Sequence, residues 1–238
     1  LPYEAYEKYG VRRYGFHGTS HRYVSARACE FLGLPYEKQR IITCHIGNGA
    51  SITAIKDGKS VDTSMGLTPT EGLMMGTRVG DVDPGAIVYM MEREGLDAAG
   101  VSKLINKRSG VAGVSEISSD MRDIEDAIER GEEKAILALD MYEYRILKYI
   151  GAYAAVLGGV DVIVFTGGVG ENQTSTRAKI CEQLAFMGVT FNAEANKVRG
   201  EEIEISGADS KTHVVVIPTD EELMIAEDTS AIVKELRK

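Results

Sequence analysis

Apolar positions change their spacing several times along the chain, and each change predicts an element. From residue 19 to Gly33, Val24, Ala28, Phe31 and Leu32 fall on one face at turn spacing, which predicts a helix capped by Thr19 and stopped by Gly33. The period then shortens. RIITCHIG, ASITAIKDG and KSVDTSMG read as three extended pieces separated by Gly-Asn-Gly and Asp-Gly, the second a strong hairpin signal, so a three-strand meander is expected.

The middle of the chain returns to helical spacing. Asp83-Pro84 predicts a cap and first-turn proline for AIVYMMEREG, and a shorter helix follows over residues 97–107. SSDMRDIEDAIERG offers capping residues before a charged amphipathic helix. From Glu132 to Leu157 a longer helix is expected, with Ile136, Leu139, Ile146, Ile150 and Tyr153 as its buried stripe. DVIVFT is a continuous β-branched and aromatic run, the pattern of a strand covered on both faces, and it opens into GGVGEN and another helix to Met187. HVVVIP repeats the pattern before a closing helix, for which Thr219 and Glu222 make a capping box. The order is β-β-β, helices, then β-α-β-α. No linker or repeat interrupts it, so one α/β domain is the simplest expectation.

Composition narrows the function classes. With 27 basic and 36 acidic residues the net charge is −9, which argues against a nucleic acid or an anionic membrane as partner. Any anionic ligand therefore needs local donors. Cys29, Cys44 and Cys181 are odd in number, far apart and in no CxxC pairing, which points away from a disulfide framework or zinc knot and toward a reducing, cytoplasmic setting. No apolar run approaches the roughly 20 residues of a membrane span, and LPYEAYEKYG has no signal-peptide core. The start at Leu1, without methionine, suggests a piece of something longer.

Several segments could carry chemistry, each with a plainer reading beside it. His45, Ile46, Gly47, Asn48 and Gly49 lie where a strand turns, and consecutive backbone N–H groups there could face an anion; a hairpin turn explains the same residues. TGGVGEN ends a buried strand and starts a helix, a place where amides favour negative charge. Its glycines at 167, 168 and 170 do not make a GxGxxG, and no P-loop lysine follows. Arg78 sits in the glycine-rich run MGLTPTEGLMMGTRVGDVDPG, either as an anion's guanidinium or as a solvated surface arginine. Asp120 and Arg122 can cap a helix and pair on its surface. Glu221 suits either a metal or a helix dipole. His213 opens a strand with no companion and reads as structural. His17, between Phe16 and Gly18, could donate to an anionic transition state or be a satisfied core histidine, and Phe16 could wall off an apolar part of a substrate.

Taken together, RYGFHGTSH, HIGNGASITAI, MGLTPTEGLMMGTRVGDVDPG, SSDMRD, FTGGVGEN and IPTDEELMIA resemble acetate kinase across essentially the whole chain. The resemblance implies an α/β fold of the actin-like ATPase (ribonuclease H-like) type with helical insertions, one half of a two-domain kinase. Residues 1–238 would be its C-terminal nucleotide-binding and dimerisation domain, with the N-terminal domain absent. It further implies reversible phosphorylation of acetate to acetyl phosphate by ATP (ADP in reverse), with Mg2+ or alternatively Mn2+, in a homodimer. The isolated chain is then expected to be inactive. By that resemblance His17 and Arg78 stabilise the transition state, and His45, Ile46, Gly47, Asn48 and Gly49 form a phosphate loop. Asp120, Met121 and Arg122 line the nucleotide pocket, Gly168, Val169, Gly170, Glu171 and Asn172 form the adenosine loop, and Glu221 is associated with the metal. A noncatalytic nucleotide-binding and dimerisation module, or a propionate- or butyrate-preferring relative, are the alternatives.

Overall fold

The computed structural model describes residues 1–237; residue 238, the last of the expected domain, lies outside them. In chain order the helices are α1 (Tyr3–Tyr9), α2 (Gly18–Leu32), α3 (Pro84–Glu94), α4 (Ala98–Lys107), α5 (Gly110–Ser115), α6 (Met121–Glu129), α7 (Glu133–Leu157), α8 (Gly167–Asn172), α9 (Thr174–Gln183) and α10 (Glu221–Leu236). The strands are β1 (Arg40–Ile46), β2 (Ala50–Lys56), β3 (Lys59–Thr63), β4 (Val162–Thr166), β5 (Ile203–Glu204) and β6 (His213–Val216). The chain divides into two compact units, one of Leu1–Phe16, Ile46–Ile52 and Thr63–Ala152, the other of His17–His45, Thr53–Asp62 and the chain from Tyr153 onward. Of the five crossings between them, four fall inside regular elements, namely β1, β2, β3 and α7.

The second unit is organised by a sheet of order β3-β2-β1-β4-β6-β5. Its centre is parallel: Ile41, Thr43 and His45 of β1 lie beside Val162, Val164 and Thr166 of β4, and Val162 and Val164 lie beside His213 and Val215 of β6. All five residues of β4 are buried, as a strand covered on both faces must be. Side chains alternate across a sheet, so Ile41, Thr43 and His45 share one face. That face carries α2, whose Val24, Ala28 and Cys29 pack with Ile41, Val162, Val164, Val215 and Ile217. Asp57 (φ 53°) and Gly58 (φ 73°) make the expected tight hairpin between β2 and β3. Short β5, antiparallel to β6, was not expected because two residues carry no readable alternation.

In the first unit, α7 presents Ala135, Ala138, Tyr142, Ile146 and Ile150 to the core, and the stripe continues along the helix through Tyr153 and Leu157. Ile136, expected in that stripe, is 40% exposed. At 100° per residue it lies about 80° from Ile146, whereas Ala135 lies within about 20°. The glycine-rich run after β3 is a pinned segment rather than a floppy loop. Met65, Leu73 and Met75 are fully buried. Arg13 donates to the carbonyls of Thr63, Ser64 and Met65, and Arg145 to those of Gly72 and Asp81.

Three capping and pairing expectations change. Helix α2 begins one residue before Thr19, with His17 rather than Thr19 at its cap position and no side-chain cap bond. Helix α10 is capped by Asp220, whose carboxylate accepts from the Leu223 N–H, because Thr219 is turned to other partners. His213 does have a companion: its Nδ1 lies 2.7 Å from Glu204 Oε1. Phe31, expected on the buried face of α2, is 39% exposed. Helices α1 and α5 were unforeseen, α1 because its seven residues bury nothing. Ile150→Ala should lower stability by about 2–5 kcal/mol, while exposed Leu137→Ala stays within about 0.5 kcal/mol; paired urea denaturation midpoints measure the difference.

Candidate functional site

The register of α2 on β1 builds a histidine cluster within the second unit. Toward the carboxyl end of β1 the shared face changes from Ile41 to Thr43 to His45, and the first turn of α2 answers with polar groups. His21 Nδ1 lies 2.7 Å from Thr43 Oγ1, and Ser20 Oγ 2.8 Å from His45 Nδ1. His17 stacks on His45 with ring centroids 4.2 Å apart and planes 16° from parallel. The backbone of His17 is left-handed at φ 58°, a conformation a non-glycine residue adopts at a cost of about 1–2 kcal/mol. Such strain persists where the surroundings impose it, often where a side chain has work to do. Burial, with the neighbouring His17 adding repulsion, lowers the pKa of His45 to about 4. Burial and both neighbouring imidazoles lower His21 to about 3. Both rings are therefore neutral at pH 7.

In the first unit, the loop after β1 meets the run that carries Arg78. The Gly76 N–H donates to the Asn48 carbonyl at 3.1 Å. A Cβ on Gly76 would fall 1.8 Å from Asn48 Oδ1, so a side chain there would displace the Asn48 amide. Arg78 is half-buried, not a solvated surface arginine. Its Nη1 donates to the Pro69 carbonyl at 3.0 Å, which leaves Nε and Nη2 without a hydrogen-bond partner among the described residues. That is the half of a guanidinium fork that grips an oxyanion. Asp120 caps α6 through the Arg122 N–H and pairs with the Arg122 side chain, which pulls its carboxyl pKa down to about 2. Met121 is the first residue of that helix.

Back in the second unit, β4 runs into α8 at Gly167 (φ 77°). Glu171 does not stand free: its Oε1 accepts from the N–H groups of Gly167 at 2.8 Å and Thr219 at 3.2 Å, tying the β4–α8 turn to the chain entering α10. Asn172 Nδ2 donates to the Gly168 carbonyl. Beneath them lies Arg177, fully buried, which donates to the carbonyls of Gly170, Glu171, Asn196 and Val198 and to Asn196 Oδ1. The Gly168, Val169 and Gly170 segment is thus held from below by one guanidinium. Glu221 is half-buried in the first turn of α10. No group of three or more His, Cys, Asp or Glu side chains among the described residues could enclose a metal ion. A hard cation that keeps its waters and takes phosphate oxygens needs only one or two carboxylates, and Glu221 fits that lighter demand.

Comparison with known proteins places this arrangement. The family model described as the acetokinase family matches residues 1–227. The chain belongs to the acetokinase family. It is 70% identical to the acetate kinase of Phocaeicola vulgatus over 232 residues, and 67% identical to that of Porphyromonas gingivalis over 235. In both alignments 98% of this chain is covered, but only 58% and 59% of the relative, so the chain spans under two thirds of their length. The crystal structure of Porphyromonas gingivalis acetate kinase superposes with a TM-score of 0.96 at 66% identity, covering 98% of this chain and 59% of that one. A propionate kinase from Francisella tularensis gives 0.88 at 41% identity, covering 95% and 57%. The expected α/β acetokinase fold is thus present.

Of the residues singled out by resemblance, the fold joins His17 to His45, Asn48 to the Arg78 run, and Glu171 to the chain entering α10. Asp120 and Arg122 spend their side chains on each other. Sequence reading missed Ser20, Thr43 and Arg177, and gave Thr219 only a capping role; Ser20, within RYGFHGTSH, and Thr219, within IPTDEELMIA, carried a local signal. Arg177→Met orphans buried carbonyls and should lower stability by at least about 1–3 kcal/mol and raise amide exchange at Glu171 and Asn172, read by hydrogen exchange. The histidines generate a second expectation. Their folded pKa values, about 4 and about 3, lie below the ordinary 6.5, so between these limits the unfolded chain binds the protons and folding stability falls as the pH drops. Urea midpoints should decline from about pH 6.5 toward pH 4, less steeply in His21→Gln.

Proposed function

We propose that this chain is the C-terminal, nucleotide-binding and dimerisation part of an ATP-dependent acetate kinase that reversibly makes acetyl phosphate. The single observation that carries the reading is the 70% identity to an acetate kinase over 98% of the chain. In this reading a carboxylate oxygen of acetate attacks the terminal phosphoryl group in line, and ADP leaves. Phosphoryl transfer asks for positioning and charge neutralisation rather than covalent help. By the family resemblance, Arg78, whose guanidinium keeps a free edge, and His17 are each assigned to stabilising the charge of the transferred phosphoryl group. His45, Ile46, Gly47, Asn48 and Gly49 form the phosphate loop, with the close Gly76 contact holding Asn48 in place.

The nucleotide is assigned to Gly168, Val169, Gly170, Glu171 and Asn172 with Asp120, Met121 and Arg122. The backbone at Gly168 is exposed while Arg177 and the Glu171 carboxylate hold its flanks, so the segment offers a preformed wall. Glu221 is the carboxylate for Mg2+, or Mn2+ in its place; the bound cation would neutralise phosphate charge. Acetate rather than propionate is favoured by the higher identity to acetate kinases, although one methylene is worth only about 1–3 kcal/mol in a pocket.

Two measurements test the reading. On its own, the chain should form no acetyl hydroxamate from acetate, ATP and hydroxylamine; a rate like that of an intact kinase would show that the remaining length of its relatives is unnecessary. In a protein of the relatives' full length, His17→Ala and Arg78→Ala should each lower kcat by roughly 10²–10³-fold, and Arg78→Lys should not restore it, because an ammonium lacks the fork. Unchanged kcat in both alanine variants would overturn the assignment.

A further inference from the structure

We infer that Ser20 and Thr219 are positioning residues that hold His45 as the tautomer protonated on Nε2. The inference rests on the proposed place of His45 beside the phosphate loop, and the argument is one of hydrogen-bond direction. Thr219 Oγ1 donates to Ser20 Oγ at 2.8 Å. A hydroxyl has one proton and two lone pairs, and Ser20 Oγ, already accepting from Thr219, has its own proton left for a second partner. That partner is His45 Nδ1, 2.8 Å away. Were Nδ1 protonated, it would take the second lone pair of Ser20 Oγ and leave that buried hydroxyl's proton without a hydrogen-bond partner among the described residues; with Nδ1 as the acceptor both hydroxyls are satisfied, and the ring's proton sits on Nε2.

The arrangement is built for order. Ser20 is fully buried, so no water competes for its hydroxyl. Thr219 is itself located by its backbone N–H, which donates to the Glu171 carboxylate. The neutral state of His45 follows from its burial and from the His17 ring stacked on it, and only a neutral ring has a tautomer to choose. The chain Thr219–Ser20–His45 thus joins the segment entering α10 to the end of β1 through the first turn of α2, all within the second unit. It determines that His45 presents an N–H donor, rather than a lone pair, at Nε2. A donor suits a phosphate oxygen; a lone pair would repel it. Neither Ser20 nor Thr219 is asked to touch the substrate.

The test is ring-nitrogen NMR of this chain labelled with 15N-histidine at neutral pH, with no nucleotide or acetate added. His45 is assigned by the signal lost in His45→Gln. The wild-type chain should show His45 with Nε2 protonated and Nδ1 bare. Ser20→Ala should lower the ratio of the two tautomers by roughly two- to tenfold, the worth of one hydrogen bond. Thr219→Val should move it in the same direction and Thr219→Ser should restore it. Thr219 is only half-buried, so its variants keep the inference testable should Ser20→Ala fail to fold. A wild-type His45 protonated on Nδ1, or an unchanged ratio in both Ser20→Ala and Thr219→Val, overturns the inference. Because the readout involves no catalysis, loss of the kinase reading leaves these spectra untouched, and a negative result here leaves the kinase reading standing.

Discussion

The second unit depends on the register of α2 against β1. One slip of a residue along the strand would turn Ile41, Thr43 and His45 to the opposite face, and the helix would then meet Ile42 and Cys44 instead. What prevents the slip is the apolar part of the seam, Val24 and Ala28 against Ile41, Val164 and Val215, which is fully buried and extends across three parallel strands. The polar end of the same seam, His21 with Thr43 and Ser20 with His45, is held by that packing. Chemistry here is the last two rungs of a hydrophobic contact.

The same logic accounts for the strained backbone of His17. Helix α2 could begin with an ordinary cap from Thr19, worth about 1 kcal/mol. Instead it begins at Gly18, with His17 left-handed and without a side-chain cap bond. The exchange places an imidazole face to face with His45. Burial first, and repulsion from the neighbouring imidazoles second, drive both His21 and His45 neutral.

Elsewhere the fold spends charged side chains, from buried Arg177 to exposed Arg13, on holding backbone. Arg177 collects four carbonyls beneath α8, Arg13 and Arg145 brace the run leading to Arg78, and Glu171 gathers two N–H groups above. Glycine-rich segments that read as loops are therefore rigid. A preformed wall loses no ordering entropy when an anion arrives, which suits the phosphoryl transfer proposed for this chain's parent protein.

By itself the sequence determined the elements with long or strongly patterned signals. DVIVFT became β4, Asp57-Gly58 became the hairpin, Asp83-Pro84 capped α3, and the family was legible in its motifs, because local propensity and fold agree at those places. Only the tertiary structure decided the rest. The choice of Ala135 over Ile136 for the buried face of α7, of Asp220 over Thr219 as a cap, and of Glu204 as a companion for His213 each turns on partners distant in sequence or on about 80° of helix phase. The division into two units was equally hidden, because four of the five crossings between them fall inside regular elements rather than at a linker. A residue's spacing shows where its side chain can point; what it meets there is settled by the strand or helix that packing brings alongside.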